Sequence, residues 1–159
     1  MKIILLTTLI ALLILTFATL FEVNFLDYSP PIPYSQIKSI TFNDFKGLKK
    51  PAQTLNGVQE FAFIKTHREI KFNNAKNVII TTFFYPSRSY VFNQHLRNFD
   101  LLAHELYHFH ISELITRQFR KAIFEYQGKL TLSEIEDFSK KYDNLEDERD
   151  ETTELFSRG

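Results

Sequence analysis

The pattern of the chain begins with an uncharged, apolar run, IILLTTLIALLILTFATLF, that covers Ile3 to Phe21. Nineteen helical residues would extend over about 28 Å, which matches the hydrocarbon core of a bilayer. Lys2 precedes the run, and Glu22 and Asp27 follow it, an asymmetry that favours a cytoplasmic Lys2 and export of the rest. Residues 1–22 therefore predict an N-terminal transmembrane helix, a single-pass anchor that binds the membrane.

Two other interpretations of this segment stay open at the level of sequence. A signal peptide that is cleaved after export would leave a secreted protein, but its apolar region should be shorter, and TFATLFEV offers a poor small-x-small cleavage site. A buried helix of a globular domain is disfavoured, because the run has no polar face.

Beyond this segment the pattern predicts a spacer and then strands. Residues 23–36 include SPPIPYS, whose three prolines are typical of a stiff extended spacer. IKSITFNDFKG indicates a strand that ends in a turn at Gly47. VQEFAFIKTHREIKF alternates apolar and polar positions, and VIITTFFY is β-branched and aromatic, so both predict further strands. The domain assigned to residues 37–159 thus begins with a short antiparallel sheet.

The rest of the chain has helical periodicity. Asn98 or Asp100 can cap a helix that continues to about Tyr126. TLSE at 131–134 has the form of a capping box for a second helix. Apolar residues then recur at spacings of three and four, at Leu132, Ile135, Phe138, Tyr142 and Leu145. The predicted fold is α+β, with the sheet packed on the first of these helices and the second helix at the C-terminus.

Composition narrows the classes of protein that fit this layout. The chain has 159 residues, which predicts one domain beyond the N-terminal segment. It has 19 basic and 19 acidic residues, so no net field attracts nucleic acid, and we expect no nucleic-acid partner. It has no cysteine, which excludes a disulfide framework, a thiolate zinc finger and a cysteine nucleophile.

The strongest chemical signal lies in the first of the two helices, where His104-Glu105-Leu106-Tyr107-His108 places two histidines four residues apart. On a helix such residues are only about 40° apart, so both imidazoles can reach one ion. Zinc binds neutral imidazole nitrogens readily. Glu105 is placed beside the ion, where it can act as the general base. Two plainer interpretations stay open: histidines paired with acids on a half-buried helix, and a metal site without catalysis.

A catalytic zinc normally has a third protein ligand. Glu113 lies nine residues beyond His104, about half a helical turn away in angle, and is better interpreted as an ion pair with Arg117. His110 also lies off the metal face. The third ligand is therefore expected from the second helix.

Three segments together resemble a known family. ITFNDFKG, FFYPSRSYV and LLAHELYHFHISELITRQFRK are similar to the bacterial family catalogued as Domain of Unknown Function 922, which is described as zinc-dependent protease-like. The likeness covers Ile37 to about Asp143. Phe42 and Tyr90 stand where the family has tryptophan, and His110 stands where it has aspartate. The resemblance implies a zincin-like fold and a bound Zn²⁺.

The resemblance also indicates a third ligand. The family tends to carry Tyr-Asp-x-x-Thr-x-His in the second helix, and this chain has YDNLEDE, with Glu148 at the position of that histidine. Glu148 is therefore implied as the third ligand, and Asp147 and Glu154 are alternatives. The acidic residues between Asp143 and Glu151 also fit a solvated face with no role in metal binding.

These observations predict a membrane-anchored, exported zinc metallopeptidase that hydrolyses peptide bonds in a peptide or protein substrate. In this hypothesis His104, His108 and Glu148 hold the zinc, and Glu105 is catalytic. The alternative is a protein of another class, a zinc-stabilised binding module at the cell envelope that catalyses nothing.

Overall fold

The computed structural model describes residues 2–22, 28–47, 62–74, 77–92, 95, 97–128 and 130–157. At 2–5, 21–22, 73–74, 77 and 150–157 it describes the backbone alone.

The N-terminal helix α1 spans Lys2–Glu22. In the part of the chain that the structure describes, no helix combines the length and the apolar character needed to cross a membrane. The prediction of an N-terminal transmembrane helix is therefore corrected. It was drawn from a run of nineteen residues that includes four threonines, whereas a span takes about 20 predominantly apolar residues.

The strands that the structure describes form two small antiparallel sheets, so the predicted α+β arrangement with a short antiparallel sheet is confirmed. The larger sheet has the order β1 (Ile32–Pro33), β4 (Asn77–Phe84), β3 (Thr66–Asn74). The smaller sheet pairs β2 (Ala62–Phe63) with β5 (Tyr90–Val91). Because β1 pairs with β4, the proline-rich stretch that was predicted as a spacer ends in contact with the domain.

The stretch IKSITFNDFKG, predicted as a strand, instead forms short 3-10 helices at Tyr34–Ser39 and Phe42–Asp44. The Asp44 carboxylate accepts a hydrogen bond from the backbone N–H of Thr41 at 2.8 Å, and the Thr41 hydroxyl accepts one from the backbone of Asn43. Such local hydrogen bonds from side chains to the backbone compete with strand pairing, which explains why the apolar pattern wrongly predicted a strand.

Two long helices follow, as predicted. Helix α2 spans Phe99–Glu125, and Asn98 caps it by accepting a hydrogen bond from the backbone N–H of Leu101 at 2.8 Å. Helix α3 spans Leu132–Ser157. Its capping box is present, since the backbone N–H of Thr131 donates to Glu134 at 2.7 Å and the backbone N–H of Glu134 donates to Thr131 at 3.3 Å.

Among the described side chains, the core has two apolar clusters on one side of α2. The first packs the sheets on the N-terminal half of α2, and its centre holds the fully buried rings of Phe84 and Phe109. The second packs the C-terminal half of α2 on α3, where the rings of Phe119 and Tyr142 stack with centroids 5.2 Å apart. Burial of α2 from both directions fixes which of its side chains face the interior.

Gly47 lies at a close approach between two backbone segments. Its N–H donates to the carbonyl oxygen of Ser89 at 2.7 Å. A Cβ atom at this position would lie 2.7 Å from that oxygen and 3.0 Å from the Ser89 nitrogen. Both neighbours are backbone atoms, which cannot rotate away as a side chain can.

We expect the substitution Gly47→Ala to lower the free energy of unfolding by about 1–3 kcal/mol, because the added methyl group forces these segments apart. Chemical denaturation followed by circular dichroism measures the change. Gly128→Ala is the control, since its Cβ would meet only ring atoms of Tyr126, a side chain that can move. Equal losses of unfolding free energy in the two variants would show that the contact with Ser89 does not account for the effect of Gly47→Ala.

Candidate metal site

The two motif histidines meet on the same side of α2, in the first half of the helix. The Nε2 atoms of His104 and His108 lie 3.4 Å apart, and their ring centroids are 5.0 Å apart with planes at 82°. Both side chains are half-buried. The structure thus brings together the two predicted imidazoles through the nitrogen that each would offer to a metal.

The distance between the two nitrogens fits a shared zinc ion. Zinc–nitrogen bonds are about 2.0–2.1 Å long, and two ligands at the tetrahedral angle are then about 3.3–3.4 Å apart. The observed separation is 3.4 Å. The separation therefore fits two ligands of one tetrahedral ion, and it also lies within hydrogen-bonding reach of the two rings.

Glu105 is the buried member of the motif, with 5% of its surface exposed. The flanking leucines Leu101, Leu102 and Leu106 pack against the first apolar cluster, as their place in the sequence predicts. This packing holds the segment between the two histidines against the sheets. The carboxylate that follows His104 in sequence is therefore buried, whereas the two imidazoles are half-buried.

Within the described side chains, the structure brings no third ligand to this pair. Among the residues whose side chains it describes, no group of three or more His, Asp or Glu side chains is arranged to hold a metal ion. Glu148 and Asp147 lie on α3 with exposed side chains. Glu154 falls outside the described side chains. The role of Glu148 as a ligand stays a prediction.

The register between the two helices indicates which turn of α3 lies level with the histidines. The two helices are antiparallel neighbours. Phe119 stacks on Tyr142, and closer to the two histidines Ser112 donates a hydrogen bond to Glu146. Two further turns along α3 lead to residues 150–154, level with the turns of α2 that carry the motif. Glu148 is about 200° around α3 from Glu146, hence on another face.

A buried polar network that the sequence reasoning missed lies one turn beyond His108. Arg68 Nη2 contacts Asp143 Oδ1 at 2.5 Å and Glu146 Oε2 at 2.7 Å. The hydroxyl groups of Ser112 and Thr66 lie 2.6 Å apart, and Ser112 also donates to Glu146 Oε1. The only sequence signals were a polar alternation inside the β3 pattern and a serine four residues after His108.

A second buried network is centred on Glu113, which is 6% exposed. Its carboxylate accepts hydrogen bonds from Thr82 Oγ1 at 2.8 Å, Arg117 Nε at 3.0 Å and Arg120 Nη2 at 2.6 Å. The predicted ion pair with Arg117 is confirmed. Burial alone would raise the pKa of Glu113, but the hydrogen bonds from Thr82 and the two arginines outweigh it, and the pKa is lowered.

His110 takes part in neither network and is not grouped with the motif histidines. Its Nδ1 atom lies 2.6 Å from the hydroxyl oxygen of Tyr34, whose ring packs edge-on against Phe109. This contact attaches the start of the first 3-10 helix to α2. A histidine at the position where the similar family has aspartate therefore has a structural partner here.

Comparison of the chain with protein-family models, with curated proteins and with solved structures found no match in any of the three. The resemblance to the Domain of Unknown Function 922 family therefore stays a prediction that rests on the quoted segments.

The lowered pKa of Glu113 predicts a pH-dependent contribution to stability. A carboxylate whose pKa is lower in the folded state stabilises the fold above its unfolded pKa of about 4.5, and this contribution is lost as the pH falls through the folded value. We expect Glu113→Gln to lower the free energy of unfolding by about 1.5–3 kcal/mol at pH 7. The difference from the wild-type protein should shrink below about pH 4.5.

Denaturation curves between pH 7 and pH 3 measure this difference. Glu125→Gln is the control, because Glu125 pairs with Lys121 at 3.7 Å on an exposed part of the same helix. Its effect should be small at every pH. A Glu113→Gln deficit that does not change with pH would contradict the assignment.

Proposed function

We propose that the protein is a zinc-dependent peptidase in which His104 and His108 bind the metal and Glu105 is the general base. The observation that supports this most directly is the 3.4 Å separation of the two Nε2 atoms, the spacing expected for two ligands of one tetrahedral zinc. The buried carboxylate between them in sequence supplies the acid–base group that peptide hydrolysis requires.

Each residue of the motif has a defined task in this proposal. The neutral rings of His104 and His108 present their Nε2 lone pairs on one side of α2. When bound, the ion would lower the pKa of a coordinated water and polarise the substrate carbonyl. Glu105 accepts the proton from the attacking water and delivers it to the amine nitrogen that leaves. Leu102 and Leu106 pack against the first apolar cluster, and the carboxylate between them in the chain is itself buried.

The third ligand in this proposal comes from α3. Glu148 occupies the family position, whereas the helix register favours the turn at 150–154, which contains the alternative Glu154. We therefore expect Glu154→Gln to weaken zinc binding more than Glu148→Gln does. The loss should exceed the factor of about 10–100 that removal of an outer-shell partner costs. Competition with a chromophoric chelator measures both. A larger loss in Glu148→Gln would contradict the register argument and support the residue at the family position.

The catalytic assignment predicts a separation of metal binding from turnover. Glu105→Gln should retain about one zinc per chain and lose about 10²–10⁴-fold in the rate of hydrolysis of an unstructured protein substrate. His104→Ala and His108→Ala should lose both zinc and activity. Elemental analysis and a fluorescent casein assay on the full chain measure these two quantities.

Glu125→Gln, an exposed change on the same helix, is the matched control and should keep both quantities. Hydrolysis that survives both chelation and Glu105→Gln would refute the mechanism. Stoichiometric zinc without cleavage of any substrate in the wild-type protein would favour the non-catalytic binding module instead.

A further inference from the structure

The buried network around Arg68 joins three elements at one point next to the candidate metal site. Arg68 lies on β3, Ser112 on α2 and Glu146 on α3, and the guanidinium and the hydroxyl bind different oxygens of the same carboxylate. The side chain of Arg68 is 5% exposed and that of Glu146 is 16% exposed. Glu146 is thus held from two sides, whereas Asp143, the other carboxylate bound to this guanidinium, is 54% exposed.

The network stands in a defined relation to the motif. His104, His108 and Ser112 follow one another at intervals of four residues on α2, so they form a row in which each is about 40° from the next. Glu146 contacts the last member of this row. The turn of α3 after Glu146 therefore begins alongside His108, and its direction depends on where the Glu146 carboxylate is fixed.

Stability alone is a poor account of this arginine. Its Nε and Nη1 groups are buried and have no hydrogen-bond partner among the residues that the structure describes, and unpaired buried donors cost free energy. A buried ion pair is often no better for stability than apolar residues of similar volume, and its best attested role is to fix the register of packed elements.

We propose that Arg68 is a positioning residue of the metal site: by holding Glu146 against Ser112 it fixes the α3 turn that faces the two histidines. This inference rests on the proposed function, since it concerns the helix that is expected to supply the third ligand. It goes further in assigning a role to a strand residue that touches neither the motif nor the metal.

The test compares Arg68→Met and Arg68→Lys with Glu113→Gln in the full chain. Glu113 is the matched control because its carboxylate, like that of Glu146, is bound by arginine. Its partners lie on β4 and α2 and not on α3. Two quantities are measured for each variant: amide hydrogen exchange along α3, and the zinc dissociation constant by chelator competition.

We expect Arg68→Met to speed exchange in α3 beyond Glu146, with no such change in α2 around the motif, and to weaken zinc binding by about 10–100-fold. Arg68→Lys keeps the charge and should recover part of that affinity. Glu113→Gln should leave the zinc dissociation constant within about twofold, whatever it does to stability.

The outcomes separate this inference from the proposed function. If amide hydrogen exchange in α3 of Arg68→Met is unchanged, Arg68 does not fix this helix and the inference is overturned. Faster exchange with unchanged zinc affinity shows that Arg68 does not act on the metal site. An equal loss of zinc affinity in Glu113→Gln shows that the effect of Arg68→Met comes from lower stability in general. A wild-type chain that binds no zinc refutes the proposed function and removes the site that Arg68 would position. Zinc bound by the wild type, but equally well by Arg68→Met, refutes the present inference alone.

Discussion

Burial of one side of α2 is the constraint on which the rest of the structure depends. The sheets cover the first half of the helix, and the larger sheet together with α3 covers the second half, through rings such as Phe109 and Phe119 that are fully buried. Once this side is fixed, helical geometry decides where every other residue of α2 lies. The carboxylate of Glu105 is placed inside, and His104 and His108 are placed together at the edge of the buried region.

The interface of α2 with its neighbours also contains polar contacts within the second apolar cluster, between Ile111 and Ile115. Glu113 binds Thr82 of β4, and Ser112 binds Glu146 of α3. Apolar packing has no strong preference for one register, whereas hydrogen bonds between charged groups need a particular alignment to be satisfied. The polar contacts therefore restrict how far each neighbour can slide along α2.

Sequence reasoning predicted the parts of the structure that depend on periodicity and on local signals. The helices were placed by the cap at Asn98 and the capping box at Thr131, and the imidazole pair by its spacing of four residues. It failed for Phe42–Asp44, where a capping interaction overrode an apolar alternation, and for the N-terminal segment, where length and composition were taken to indicate a membrane span. The Arg68 network could not be foreseen, since it joins residues 68, 112 and 146, which are distant in sequence and have no common motif.

The central claim is that the two rings share one zinc ion, and long-range nitrogen–proton correlation spectra of the histidine side chains test it most directly. The chain has five histidines, and each ring reports on its own nitrogens. As zinc is added to the full chain, the account predicts that the Nε2 signals of His104 and His108 shift together and stop changing at about one equivalent, while the nitrogen signals of His67, His95 and His110 stay in place. Signals of His104 and His108 that do not respond, or that respond at different equivalents, would contradict it.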